Sequence, residues 1–186
     1  MNPTIETALA DHRRCVEAIE QQAALLAQIA DQAWCAFEAG GRLYLAGNGG
    51  SAADAQHVAA ELVGRLRRDR RALPAVALTT DTSVLTAVGN DMGFERVFAR
   101  QVEALVRAGD VVWLFSTSGH SPNIVAAAGA ARKLGAGVAG FTGAGGGALK
   151  PLCDHCLVVP HTVSERIQEA HALAYHILCE LLERRL

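Results

Sequence analysis

The sequence predicts an α/β protein: a three-layer αβα sandwich around a mainly parallel sheet of about five strands, preceded by N-terminal helices. Three observations lead there. Short, continuously apolar runs such as Val111-Val112-Trp113-Leu114-Phe115 recur along the chain, as strands buried on both faces do. Stretches of helical apolar spacing alternate with them. Aromatics make up only 5% of a chain that is 51% hydrophobic, which suits close helix packing better than a β-sandwich. At 186 residues the chain fits one domain, with N-terminal helices over 1–40 and an α/β core with a C-terminal helix over 41–186.

The elements follow in order. Residues 4–39 carry helical spacing (Ala8, Cys15, Ile19, Ala23, Leu26, Ile29, then Ala33, Ala36, Phe37), stopped by Gly40-Gly41. Such an apolar hairpin either covers its own sheet or meets a second subunit. Leu43–Ala46 reads as a strand and 51–66 as a helix. Ala75–Leu78 is a strand, followed by helical spacing over Ser83–Val88. Residues 94–107 read as one amphipathic helix (Phe94, Val97, Phe98, Val102, Leu105, Val106). Val111–Phe115 is a strand, Pro122 to about Leu134 a helix, Gly137–Phe141 a strand, Leu157–Val159 the last strand and 164–184 a long final helix. Ligands in such sheets bind at the carboxyl ends of strands, near a switch in strand order.

Composition excludes several function classes. A net charge of −2 argues against nucleic acid as a partner. No apolar run reaches the roughly 18 residues that span a bilayer, and the N-terminus lacks a signal-peptide pattern. The five cysteines are scattered and odd in number, as reduced thiols in a cytoplasmic protein would be.

Two Gly- and Ser-rich turns stand out. Gly47-Asn48-Gly49-Gly50-Ser51 falls between a strand and a helix, where glycines let a ligand approach the backbone and free N–H groups favour anions or hydroxyls. Its spacing is not the dinucleotide pattern G-x-G-x-x-G; the bland alternative is a tight βα turn. Ser116-Thr117-Ser118-Gly119-His120-Ser121-Pro122 follows another strand. Ser121 suits an N-cap and Pro122 a first helical residue, so hydroxyls and unpaired N–H groups converge as in a phosphate cradle. Alternatively, the serines satisfy only their own loop.

Further candidates lie on helices. His57 and Glu61, four apart, share a helix face and could share a metal, or form a surface pair. Gln168, Glu169, His171 and His176 lie on the final helix. Gln168 and His176 are separated by about 12 Å of rise, so one metal joins them only if long side chains lean together or a neighbouring subunit supplies one. Asn90-Asp91 would sit in a loop ahead of a helix, meeting sugar hydroxyls or capping that helix. Arg65 opens the run Arg65-Leu66-Arg67-Arg68-Asp69-Arg70-Arg71, expected to be mostly solvated, with Arg65 itself able to face the site. Cys153-Asp154-His155-Cys156 has C-x-x-C spacing but no second pair, and reads as strand entry.

Taken together, Gly47–Ser51, Gln56-His57 with Glu61 and Gly64-Arg65, Gly89-Asn90-Asp91, Ser116–Gly119 with Ser121, Arg166-Ile167-Gln168-Glu169 with His171, and His176 resemble the phosphoheptose isomerases of the sugar-isomerase (SIS) superfamily. The likeness runs over nearly the whole chain. It implies the SIS fold and an aldose–ketose isomerase that interconverts D-sedoheptulose 7-phosphate and D-glycero-D-manno-heptose 7-phosphate through an enediol, for envelope heptose. It also implies a cytoplasmic homotetramer with active sites between subunits, without membrane or nucleic-acid partners. By resemblance, one zinc ion per subunit falls to His57, Glu61, Gln168 and His176. Substrate contacts fall to Asn48, Gly49, Gly50, Ser51, Glu61, Arg65, Asn90, Asp91, Ser116, Thr117, Ser118, Ser121 and Gln168. Enediol chemistry needs a base and an acid, assigned to Glu61 and His176. His120 stands where the family usually has Asn, and Glu165 where it has Asp.

A related SIS protein that associates with the bacterial replication initiator shares the Gly-Asn-Gly and Ser-Thr loops. That paralogue lacks the residues matching Glu61 and His176, which this chain keeps. A sugar-phosphate-sensing regulator would need an attached DNA-binding domain, for which 186 residues leave no room.

Overall fold

The computed structural model describes residues 2–186. Five parallel strands, β1 (Leu43–Ala46), β2 (Ala75–Ala77), β3 (Val111–Ser116), β4 (Gly137–Gly143) and β5 (His155–Val159), form one sheet in the order β2-β1-β3-β4-β5. The register is continuous across its centre, with Leu43 opposite both Ala75 and Val111, and Val111 opposite Gly137. The helices are α1 (Pro3–Gln21), α2 (Ala23–Glu38), α3 (Gly50–Val63), α4 (Thr82–Met92), α5 (Ala99–Leu105), α6 (Pro122–Lys133) and α7 (Ser164–Glu183). Single 3-10 turns lie at Phe94–Arg96 and Lys150–Leu152.

Strand residues alternate between two cores, as a pleat requires. Leu43, Leu45, Trp113 and Phe115 join the core under α1, α2, α3 and α7. Tyr44, Ala46, Val112 and Leu114 join the core under α5 and α6. This is the expected three-layer sandwich, and among the described residues no helix is long and apolar enough to cross a membrane.

The N-terminal hairpin covers its own sheet. Gln22 at the α1–α2 break donates to the carbonyls of Ala18 and Val158 and accepts from the Val158 N–H. Asp110 ties together the lower ends of three strands: its carboxylate accepts from the N–H groups of Arg42 and Arg107, each at 2.8 Å, and its carbonyl from Gly137.

Three expectations change. Helix α4 runs on through Gly89 to Met92, stopping at Gly93 with φ 90°. Asn90 and Asp91 therefore sit in the last turn of a helix rather than ahead of one, and the helix is capped by Asp81, which accepts from the Val84 N–H at 3.0 Å. The single helix expected over 94–107 divides into a 3-10 turn over Phe94–Arg96 and α5, with Val97 and Phe98 buried between them. Helix α3 ends at Val63. Beyond it Arg70 turns inward rather than into solvent. Its guanidinium donates to the carbonyls of Glu61 and Leu62, each at 2.7 Å, and of Gly64 at 3.0 Å, and it pairs with Glu183, the two side chains being 4% and 3% exposed. Burial alone would raise the Glu183 pKa; the N–H groups of Arg68, Arg67 and Leu66 and the Arg70 charge outweigh it and hold the carboxyl below its usual range.

Candidate functional site

In a sheet of this order, connections leave β1 and β3 in opposite directions, opening a crevice at their carboxyl ends. Both marked loops emerge there. Gly47 lies so close to the start of α3 that a Cβ would stand 2.3 Å from the Ser51 carbonyl oxygen, and Gly49 takes φ 56°. Ser51 is buried, and Asn48 exchanges two side-chain hydrogen bonds with Asn123 of α6, at 2.9 and 2.8 Å. That pair joins the two loops.

The Ser/Thr loop is held from beneath by backbone. Gly143 donates to Thr117 O and Leu149 to Gly119 O, each at 2.9 Å. A Cβ on Gly119 would stand 2.2 Å from the Gly146 carbonyl oxygen. Above this floor Ser116 and Ser121 hydroxyls meet at 2.9 Å, and Thr117 reaches Ser164 at 3.1 Å. Ser121 occupies the N-cap of α6 but makes no side-chain cap bond, and Pro122 follows it. Pro122 has no N–H and Ile124 already donates to the Ser121 carbonyl, so the Asn123 N–H is the first-turn donor left open, which suits an anion. Ser118 accepts from the His120 N–H. A cavity of about 300 Å³ opens here, lined by Asn48, Phe94, Glu95, Ser121, Pro122 and Asn123.

A second cluster forms where α3 and α7 lie side by side. Among the described residues, His57, Glu61 and His176 bring one ligand atom each within 4.8 Å of one another. His57 Nε2 is 3.1 Å from Glu61 Oε1, and the His57 and His176 rings are 4.9 Å apart. His176 Nδ1–H donates to the Ala172 carbonyl at 2.7 Å, leaving Nε2 free. Two imidazoles and a carboxylate with open positions suit a divalent metal such as zinc.

Behind this cluster are two residues the sequence reading passed over. The buried Tyr175 hydroxyl lies 3.2 Å from His57 Nδ1. Burial pushes Asp54 up to about 6, opposed by the neighbouring Tyr175 hydroxyl and by the charges of His57 and His176. Burial, with Asp54 beside it, moves the Tyr175 hydroxyl upward. Spacing did contain a signal for Asp54, which precedes His57 by three residues on the same helix face. Asn123 was also passed over, and nothing local marks it.

The remaining candidates divide. Gln168 stands against the start of α3: a Cβ on Gly50 would meet its amide nitrogen at 2.7 Å and oxygen at 2.8 Å. It thus joins the Gly-rich turn, roughly 12 Å along α7 from His176. Arg65, Asn90 and Asp91 are exposed, with Asn90 donating to Asp91 at 2.7 Å. His171 is wholly buried against Phe115 and Phe141, donates to the Thr142 carbonyl, and is lowered to about 4 by burial, slightly offset by that bond. Cys153 and Cys156 lie over Gly140 at the entry to β5.

Glu61 is eleven residues beyond Gly50 on α3, or roughly 16 Å of helix rise. The Gly-rich turn and Glu61 of one chain therefore lie at different heights along α3.

Comparison with known proteins gives concordant matches. The SIS domain family model matches residues 9–143. The phosphoheptose isomerase of Roseiflexus sp. (strain RS-1) is 57% identical over 168 residues, covering 90% of this chain and 85% of that protein. That of Pelobacter propionicus is 51% identical, covering 98% and 97%. The structure of the phosphoheptose isomerase GmhA from Neisseria gonorrhoeae superposes with a TM-score of 0.92 at 42% identity, over 97% of each chain.

Proposed function

Since the chain belongs to the SIS domain family and, within it, to the phosphoheptose isomerases, we infer that it interconverts sedoheptulose 7-phosphate and D-glycero-D-manno-heptose 7-phosphate, supplying heptose for cell-envelope glycans. The observation that carries the chemistry is the convergence of His57, Glu61 and His176 from two helices, in a chain whose switch-point loops form an anion cradle.

Aldose–ketose isomerisation moves a proton between C1 and C2 and another between their oxygens. Glu61 is the base that takes the carbon-bound proton. His176 is its acid/base partner at oxygen whenever Nε2, which the Nδ1 bond to Ala172 directs outward, is not engaged by metal. Ser116, Thr117, Ser118 and Ser121 hold the phosphate with the α6 N-terminus, without a lysine or arginine. Asn48, Gly49, Gly50 and Ser51 present backbone and hydroxyl groups to the sugar, joined by Arg65, Asn90 and Asp91. Of the two roles expected for Gln168, substrate contact is the one its place at Gly50 supports within one chain.

When bound, zinc supplies Lewis-acid polarisation at the reacting oxygens, and His57, Glu61 and His176 are the donors that would hold it. The Gly-rich turn and Glu61 of one chain are separated by roughly 16 Å of helix rise along α3. That supports a homotetramer in which one chain's cradle faces another's Glu61 and His176. Five free cysteines are in keeping with a cytoplasmic location.

The test is turnover of sedoheptulose 7-phosphate in a coupled heptose assay. Wild type converts it, and Glu61→Gln loses on the order of 10²–10⁴-fold, as does His176→Ala. Absence of turnover with any seven-carbon ketose phosphate sinks the isomerase reading. Full activity after chelation to a metal-free state refutes the metal's role alone.

A further inference from the structure

We propose that Tyr175 and Asp54 form a positioning chain that fixes His57 in its metal-binding tautomer. The inference rests on the metal reading above.

The argument begins with the two ring nitrogens of His57. Nε2 faces Glu61 at 3.1 Å and Nδ1 faces the Tyr175 hydroxyl at 3.2 Å. A neutral imidazole carries one proton, and the nitrogen that ligates must be the bare one. For Nε2 to ligate beside Glu61 and His176, Nδ1 must hold the proton and donate it. The Tyr175 oxygen is the acceptor in place. A tyrosine oxygen that accepts still has its own proton to give, and the carboxylate facing it is Asp54. Asp54 Oδ2 is buried with no hydrogen-bond partner of its own, an acceptor still open to the neighbouring Tyr175 hydroxyl. The direction is thus His57 Nδ1–H to Tyr175 Oη, then Tyr175 O–H to Asp54.

His176 has the same need and meets it differently, donating Nδ1–H to the Ala172 carbonyl of its own helix. That bond comes with the helix; the one on His57 depends on two side chains. Tyr175 also touches both histidine rings, with centroids 5.5 Å from His57 and 4.7 Å from His176, so its ring position is set by packing and its hydroxyl can be removed with little disturbance.

The experiment is zinc affinity, read by competition with a chromophoric chelator, for wild type, Tyr175→Phe, Asp54→Asn and His57→Ala. Outer-shell partners of metal-bound histidines are worth about 10–100-fold in affinity. Tyr175→Phe is expected to weaken zinc within that range, Asp54→Asn to weaken it less, and His57→Ala to lose tight binding. Melting of the metal-free Tyr175→Phe protein near the wild-type temperature separates this from unfolding, and Asp54→Asn carries the test if that variant does not fold. An unchanged zinc constant in Tyr175→Phe, with His57→Ala defective, overturns the positioning chain and leaves the metal site standing. A wild type that binds no zinc, or binds it equally well without His57, overturns both.

Discussion

His171 shows how one side chain can couple the fold to pH without taking part in chemistry. It is fully buried between Phe115 and Phe141, and its pKa is lowered to about 4 from the ordinary 6.5 by that burial. A histidine that cannot charge in the folded state contributes stability that is complete above pH 6.5. It is lost as pH falls towards 4, because the unfolded chain takes up the proton first. The loss is up to roughly 3 kcal/mol over that window. Urea denaturation between pH 7.5 and 4.5 should show a steeper decline in wild type than in His171→Asn; equal slopes would remove His171 as the cause. Its neighbours on α7 illustrate what sequence can and cannot reveal about a site. Gln168 and His176 were recognisable by type and family likeness, yet only packing separates them, one at Gly50 and the other at His57. Tyr175 reads as a core aromatic until its partner on α3, 118 positions away in the chain, is in place.

At the scale of elements, strands were the most legible, because burial on both faces leaves an unbroken apolar run. Helix ends were less so. The apolar spacing over 94–107 continues across a real break, since Val97 and Phe98 serve the core from a turn. Arg70 was hidden for a different reason. A run of arginines after a helix has the composition of a solvated end, and only the tertiary fold shows that one of them folds back. By closing the carbonyls of Glu61, Leu62 and Gly64, Arg70 fixes the last turn of α3, where Glu61 sits. Removing one partner of a buried ion pair leaves the other uncompensated, at about 3–5 kcal/mol. Arg70→Leu is therefore expected to lower the unfolding free energy by about that amount, measured by denaturant titration. A loss under 1 kcal/mol would show the contact to be incidental.

The whole molecule places the Gly-rich turn and the His57/Glu61 cluster towards opposite ends of α3. It also carries a helix, α4, with no buried residue, followed by Phe94 at 64% exposure. The proposed tetramer makes a specific expectation. Glu61→Gln and Ser118→Ala/Ser121→Ala subunits, each poorly active alone, should regain activity when co-expressed, because mixed assemblies contain sites with one intact cradle and one intact Glu61. No recovery in verified mixed oligomers would mean that each chain works alone.

The Asp110 clasp has a consequence for the order of events during folding. It fastens the base of β1 to β3, partners 68 positions apart in sequence, while β3 and β4 are 26 apart. Loop closure costs more entropy over the longer span, so β3 and β4 are the cheaper pair to zip and β1 is recruited afterwards. On the ribosome, β1 and α3 emerge well before β3 exists to receive them. The Gly-rich turn and the helix bearing His57 and Glu61 thus have only β2, which pairs with β1, to complete their side of the sheet until β3 is made.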